Sequence, residues 1–154
     1  MESVKKKLMV LSNIARKLNQ RNLTWAIGGS LLLYFKGITN EFHDIDIMVA
    51  EEDVEVLKEI MLTFGQLLPP NPKVEYKTKH FLEFNVEGVE IDVMAGFTIV
   101  NRENEYYFPL RAGSVNDFTE VNGVSIPLQS IAEWRKYYEL MGRTEKVKMI
   151  DQSL

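Results

Sequence analysis

Two adjacent glycines, Gly28 and Gly29, divide an apolar segment and most constrain how this 154-residue chain can fold. Residues 24–27 before them have the composition of a short strand, and residues 30–35 after them that of a helix. A strand that turns sharply into a helix presents unpaired backbone N–H groups and the positive end of the helix dipole. Such a corner typically binds an anion, most often phosphate. The alternative is a plain strand–helix turn with Ser30 as the helix N-cap, and the glycines alone favour neither.

Two aspartates, Asp44 and Asp46, accompany the next apolar segment, residues 45–49, whose alternation predicts a strand. Residues two apart on a strand share one face and lie about 7 Å apart. Because their neighbours are aliphatic, the two carboxylates would be largely buried, which is costly without compensation. Mg²⁺ or Mn²⁺ ions held by carboxylate oxygens would compensate them; the alternative is a pair of acids at an exposed strand end. Alternation places His43 on the opposite face, which predicts a structural role for it.

A third acid stands in a similar setting in residues 89–94, where acidic and aliphatic residues again alternate. Asp92 lies deeper in this apolar run, whereas Glu90 lies nearer the glycine turn at Gly88 and is expected to be solvated. Asp92 is therefore the better candidate to complete a two-metal site with Asp44 and Asp46.

Helices and turns account for the other segments. Apolar residues recur at helical spacing in residues 3–20 and again from 54 to 64, where acidic residues 51–53 precede the helix. A short rigid connection is expected at Pro69, Pro70 and Pro72. Residues 73–126 are dominated by strand patterns, with a hairpin turn at 85–88 and another at Asn122-Gly123.

The last segment predicts two helices. Ser130 and Glu133 have the spacing of a capping box that begins a helix, and Thr144 can cap a short final one. Trp134 and Tyr138 share one face of the first helix and are expected to be core residues rather than a base-stacking platform. The resulting order predicts an α+β (mixed α/β) fold, a single domain over residues 1–154 with one mixed sheet flanked by helices.

Composition excludes several classes of function. A net charge of −4 and an isoelectric point near 5.3 argue against duplex nucleic acid as a partner. The chain has no cysteine, which excludes disulfides, thiol nucleophiles and thiolate-bound zinc. We see neither a signal peptide nor an apolar run of the roughly 20 residues that span a bilayer, so no membrane association is predicted and a cytoplasmic location is expected.

These motifs together resemble the nucleotidyltransferase superfamily, which includes DNA polymerase beta, polyadenylate polymerases and antibiotic nucleotidyltransferases, and in particular its small bacterial members. The superfamily pattern is an apolar residue, two small residues of the Gly-Gly or Gly-Ser type, about a dozen residues, Asp-x-Asp or Asp-x-Glu, and a third carboxylate on a later strand. This chain has Ile27-Gly28-Gly29-Ser30, then thirteen residues, Asp44-Ile45-Asp46, and finally Asp92.

The resemblance implies a Mg²⁺-dependent (or Mn²⁺-dependent) transfer of an NMP group from an NTP to a hydroxyl acceptor, with release of pyrophosphate. Asp44, Asp46 and Asp92 would be both the metal ligands and the catalytic residues, and Asp92 would also assist deprotonation of the acceptor. Nucleotide binding is expected from Gly28, Gly29, Ser30 and, from the C-terminal segment, Arg143 and Lys146. For these two cations, as for Lys136, a solvated helix face is the alternative.

Other functions fit the same residues. The acceptor can be a small molecule, an RNA end or a protein, and a homo-oligomer or a partner subunit can supply the acceptor domain that so small a chain lacks. A second hypothesis is a non-catalytic nucleotide- or partner-binding member, such as a toxin–antitoxin component. A third is a small α/β protein whose acids bind structural Mg²⁺ only.

Overall fold

The computed structural model describes residues 3–70 and 77–154, and these contain five α-helices and nine strands. The helices are α1 (Val4–Gln20), α2 (Gly29–Phe35), α3 (Val54–Leu62), α4 (Ile131–Leu140) and α5 (Thr144–Gln152). The strands are β1 (Trp25–Gly28), β2 (Ile45–Val49), β3 (Gln66–Leu67), β4 (His80–Val86), β5 (Val89–Ala95), β6 (Phe97–Asn101), β7 (Asn104–Phe108), β8 (Asp117–Val121) and β9 (Val124–Leu128). None of these helices has the length and apolar character needed to cross a membrane.

Seven strands form one mixed sheet in the order β3-β4-β5-β2-β1-β9-β8. The β1–β2, β4–β5 and β8–β9 pairs are antiparallel, whereas β2–β5 and β1–β9 are parallel. The predicted mixed sheet is therefore confirmed. Strands β6 and β7 form a separate two-stranded ribbon, which we did not predict; it follows Gly96, whose φ of +66° turns the chain away from β5.

The hydrophobic core lies where the helices cover the central strands. The apolar face of α1 that sequence periodicity predicted is buried, through Val10, Leu11, Ile14, Ala15 and Leu18. The aliphatic residues of β2 and β5 that alternate with the acids are also buried, namely Ile45, Ile47, Val89, Ile91 and Val93. The acidic strands thus have one wholly apolar face, as predicted.

Local differences from the predictions concern mainly helix starts. Helix α2 begins at Gly29 with Gly28 as its N-cap, so the alternative in which Ser30 caps the helix is wrong. Arg143, rather than Thr144, occupies the N-cap of α5. The acidic residues 51–53 form a single 3₁₀ turn before α3. Of the predicted proline connection, Pro72 lies outside the described residues.

The capping box of α4 is present as predicted. Ser130 Oγ accepts a hydrogen bond from the Glu133 backbone N–H at 3.1 Å, and Glu133 Oε1 accepts one from the Ser130 backbone N–H at 3.0 Å. We expect Ser130→Ala to lower the free energy of unfolding by about 1 kcal/mol, because it leaves a helix N–H without its partner. Urea denaturation measures this, and Glu133→Gln, which keeps an acceptor at the same position, is the matched control. Equal losses in both variants would contradict the role given to the hydroxyl.

Candidate active site

Four residues on neighbouring strands stand in one row across the sheet. Gly28 pairs with Asp46, Asp46 pairs with Asp92, and Asp92 pairs with Glu83. Residues paired in register project to the same face of a sheet. The β2–β5 parallel pairing therefore brings the two acids together although 45 residues separate them in sequence.

Asp44 reaches the same face from just outside the strand. Strand β2 begins at Ile45, so Asp44 ends the preceding loop two residues before Asp46. The loop is fixed by a buried lysine of α1, since Lys7 Nζ donates a hydrogen bond to the backbone oxygen of Phe42 at 3.0 Å and lies 5.3 Å from its ring centre. We did not predict this contact, because nothing in the sequence relates Lys7 to the loop.

A cavity of about 460 Å³ opens over the acids. Its polar wall contains a hydroxyl, an imidazole, three carboxylates and two cationic groups, from Ser30, His43, Asp44, Asp46, Asp92, Arg143 and Lys146. Its apolar wall consists of Phe81, Met94, Phe97, Trp134, Tyr138 and Met141. All three predicted acids, Ser30 and both predicted nucleotide-binding cations thus line one cavity.

Burial and the neighbouring carboxylates disfavour the ionised forms of Asp46 and Asp92. Burial raises the pKa of Asp46 to about 7, and the charges of Asp92 and Asp44 contribute to the shift. Burial likewise raises the pKa of Asp92 to about 7, with further contributions from Asp44, Glu83 and Glu90. A site with this electrostatic character favours a bound cation over three free carboxylates.

Glu90 is exposed, as predicted, but it is not independent of the site. A side-chain hydrogen bond with Asp44, together with the charge of Asp44, raises the pKa of the Glu90 carboxyl. Glu90 and Glu83 therefore extend the acidic surface beyond the three predicted acids.

The Gly28–Gly29 turn leaves no room for a side chain at either position. A Cβ at Gly29 would collide with Oδ2 of Asp46, and the φ of Gly29 is +62°. A Cβ at Gly28 would overlap the indole of Trp134, whose Nε1 donates a hydrogen bond to Gln129 Oε1 at 2.6 Å. The turn is thus packed between a carboxylate and an aromatic ring, and only glycine fits at either position.

The three cationic candidates differ in position. Arg143 lines the cavity, lies 5.8 Å from the Tyr138 ring centre and forms an ion pair with Glu145 at 2.8 Å. Lys146 also lines the cavity, one turn along α5. Lys136 is exposed and lies 5.2 Å from the Phe108 ring centre, so it is not among the cavity's lining residues.

Several residues in or beside the cavity were not assigned to the site from sequence. His43 lines the cavity, contrary to its predicted orientation, because it precedes β2 and strand alternation does not apply to it. The aromatic residues Trp134 and Tyr138 are buried as predicted, yet their edges also reach the cavity. Glu83 is not a lining residue, but it stands opposite Asp92, and pairing the β4–β5 hairpin from its turn could have identified it. Phe97 belongs to the ribbon, for which no motif gave a signal.

The carboxylates converge on one face without forming a closed ligand set. Within residues 3–70 and 77–154, no three acidic or histidine side chains are placed together so as to hold a metal ion.

One family model and several solved structures are similar to this chain. The family model for aminoglycoside-2''-adenylyltransferase matches residues 10–153. TM1012 of Thermotoga maritima, assigned as a nucleotidyltransferase, is similar in structure with a TM-score of 0.74 and 25% identity, over 98% of this chain and 94% of that one. A search of curated proteins found no match.

Two antibiotic adenylyltransferases share the fold at lower identity. ANT(2'')-Ia, solved with adenylyl-2''-tobramycin, has a TM-score of 0.64 and 16% identity, over 96% of this chain and 89% of that one. The lincosamide adenylyltransferase LnuA, solved with lincomycin, has a TM-score of 0.58 and 15% identity, over 84% of each chain. The predicted nucleotidyltransferase fold is confirmed.

Proposed function

The chain belongs to the aminoglycoside-2''-adenylyltransferase family, and on that premise we propose that it transfers AMP from ATP to a hydroxyl acceptor. Nucleotidyltransferase activity as such is supported by the family and by the structural neighbours. One observation carries the proposal further: Asp46 and Asp92 are register neighbours beside the Gly28–Gly29 turn, in a cavity that also contains cationic side chains.

The charge balance of the cavity supports metal dependence. Three carboxylates face two cationic side chains there, so a triphosphate, itself a polyanion, needs further positive charge in order to bind. Oxygen ligands of this kind suit Mg²⁺ or Mn²⁺, and Asp44, Asp46 and Asp92 would hold them. When bound, the metal would neutralise phosphate charge as it develops during transfer.

The chain's own residues then have distinct tasks. The Gly28–Gly29 turn begins α2, so its backbone N–H groups and the Ser30 hydroxyl can donate hydrogen bonds to the phosphates. Arg143 and Lys146 face the triphosphate from the α5 side. The acceptor oxygen forms a bond to the α-phosphorus while the bond to the bridging oxygen breaks and pyrophosphate leaves. The hydroxyl proton passes to the carboxylate of Asp92.

Calorimetric titration with ATP, GTP, CTP and UTP, each with and without Mg²⁺, tests nucleotide binding. We expect metal-dependent binding of ATP, and metal-independent or absent binding of all four would contradict the proposal.

Asp92→Asn should still bind ATP but transfer AMP about 100-fold more slowly or worse, because the proton acceptor is lost. Glu59→Gln, on the exposed face of α3, is the charge-matched control and should behave as wild type. Wild-type transfer by Asp92→Asn would show that another group takes the proton.

Transfer itself is tested with α-³²P-labelled ATP, Mg²⁺, tobramycin and, in a separate reaction, a cell extract. Label on any acceptor supports the enzyme. Binding of ATP without label on any acceptor would favour the non-catalytic nucleotide-binding alternative.

A further inference from the structure

Tyr138 carries a hydroxyl that opens into the acidic cavity without a partner in the protein. The residue is only 4% exposed, and it lines the cavity. Within residues 3–70 and 77–154, no group forms a hydrogen bond with this hydroxyl, and no side-chain N or O atom is both buried and unpartnered. The hydroxyl therefore reaches accessible space, and the cavity is the space that Tyr138 lines. Because buried tyrosines usually pair their hydroxyl, this one is available to a ligand.

Packing holds the Tyr138 ring in place on two sides. One helical turn earlier on α4 lies Trp134, with 5.3 Å between the two ring centres. The guanidinium of Arg143 lies 5.8 Å from the Tyr138 ring centre, and the Arg143 backbone N–H donates a hydrogen bond to the Tyr138 carbonyl oxygen at 2.8 Å. The Trp134 indole in turn packs against Gly28. Contacts thus run from the glycine turn through Trp134 and Tyr138 to Arg143.

The charges that act on the Tyr138 hydroxyl indicate its surroundings. Burial raises the pKa of Tyr138, the charges of Asp46 and Glu145 raise it further, and the charge of Arg143 lowers it. Of the three acids in the site, only Asp46, the register partner of Gly28, contributes to this shift. The hydroxyl therefore stays protonated, as a hydrogen-bond donor on the side of the carboxylate that pairs with the glycine turn.

We propose that the Tyr138 hydroxyl donates a hydrogen bond to a non-bridging phosphate oxygen of the bound triphosphate. The inference rests on the function proposed above, which assigns the glycine turn and Arg143 to the triphosphate and Asp92 to the acceptor hydroxyl. The contacts of Tyr138 run to the glycine turn and to Arg143, so its hydroxyl serves the triphosphate rather than the acceptor. Hydrogen bonds to charged groups are among the stronger ones, and the loss of this one should weaken binding about tenfold or more.

Tyr138→Phe removes the hydroxyl and keeps the ring. In calorimetry with Mg²⁺, we expect this variant to bind ATP at least about tenfold more weakly than wild type. Its free energy of unfolding in urea should be unchanged, because the hydroxyl has no partner in the described protein. Wild-type ATP affinity in Tyr138→Phe would overturn the proposal and leave the adenylyltransferase standing.

Tyr137→Phe is the matched control on the same helix. The Tyr137 hydroxyl donates a hydrogen bond to Glu133 Oε2 at 3.5 Å, and Tyr137 is not among the cavity's lining residues. We expect Tyr137→Phe to bind ATP as wild type does. A loss of ATP affinity as large as that of Tyr138→Phe would mean that α4 packing, and not a hydroxyl in the cavity, causes the effect.

Inorganic triphosphate distinguishes a contact with phosphate from one with the nucleoside. With Mg²⁺, we expect Tyr138→Phe to lose the same factor in affinity for inorganic triphosphate as for ATP. A loss confined to ATP would place the hydroxyl on the nucleoside and overturn the proposal. Absence of metal-dependent ATP binding by the wild-type protein would overturn the proposed function as well.

Tyrosine labelled with ¹³C at Cζ reports directly on its own hydroxyl. The chain has six tyrosines, and the resonances that disappear in Tyr138→Phe and in Tyr106→Phe assign these two. We expect inorganic triphosphate with Mg²⁺ to shift the Tyr138 resonance saturably and to leave that of Tyr106, which is 36% exposed on β7, unchanged. The absence of a saturable shift at Tyr138 would overturn the proposal.

Discussion

Asp46→Asn is expected to make the protein more stable and to abolish AMP transfer. The pKa of Asp46 is raised to about 7, chiefly by burial, so the folded state resists a charge that the unfolded state accepts freely. Asparagine has the same shape and no charge. At pH 8 the gain in the free energy of unfolding should be on the order of 2–4 kcal/mol, from about 1.4 kcal/mol per pKa unit.

The size of this stability gain depends on pH. Because the folded pKa of Asp46 lies above the unfolded value of 3.8, ionisation destabilises the fold increasingly from about pH 4 and fully above about pH 7. The advantage of Asp46→Asn should therefore be largest at pH 8 and vanish near pH 4. Urea denaturation at both pH values, alongside the transfer assay, measures it.

Asp151→Asn is the matched control, because the pKa of Asp151 is shifted in the opposite direction from that of Asp46. Arg135 holds the pKa of Asp151 below its usual range, so loss of that charge should bring no gain in stability at pH 8. An Asp46→Asn protein no more stable than wild type at pH 8 would contradict the cost of burying the charge. Retained AMP transfer in that variant would contradict its proposed role.

Gly29→Ala is expected to cost both stability and ATP binding. The φ of +62° is unfavourable for any residue with a Cβ, by about 1–2 kcal/mol. The new methyl group would also collide with Oδ2 of Asp46 and force that carboxylate out of place. We expect ATP affinity in the presence of Mg²⁺ to fall at least about tenfold, which corresponds to about 1.4 kcal/mol.

Gly37 offers a control that isolates the collision from the backbone strain. Its φ is +73°, and a Cβ there would meet nothing within 4 Å. Gly37→Ala should therefore lose a similar amount of stability from strain and bind ATP as wild type does. Thermal denaturation and calorimetry of the two variants make the comparison. Equal ATP binding by both would mean that the Gly29 backbone does not fix the position of Asp46.

Local patterns predicted the parts of the site that depend on neighbours in sequence. The alternation around Asp46 and Asp92 identified both strands and their acidic face, because burial of the other face leaves only one register. Ser130 and Glu133 predicted the start of α4 because a capping box involves only its own residues. The alternative with Ser30 as the N-cap of α2 was wrong because glycine can occupy the N-cap position without a capping side chain, and Gly28 does so here.

Contacts between distant segments could not be predicted in the same way. Nothing in the sequence states that β2 pairs with β5 rather than with β4, or that Lys7 reaches the loop before Asp44. The apolar wall of the acidic cavity was not predicted for a related reason. Two of its residues, Phe97 and Met141, come from the β6–β7 ribbon and from the end of α4, and neither segment carries a motif. Such residues are recognisable only when the chain has been folded around the acids.

The order of the sheet also governs when a growing chain can complete this cavity. Strand β9 pairs with β1 through Ile27 and Leu128, and only after β9 does the chain supply Trp134, which packs against the glycine turn, and Arg143, which lines the cavity. A ribosome must therefore deliver nearly the whole of this sequence before the walls can close. A nascent chain that ends at β5 would already carry all three acids, with their repulsion and without their cationic neighbours.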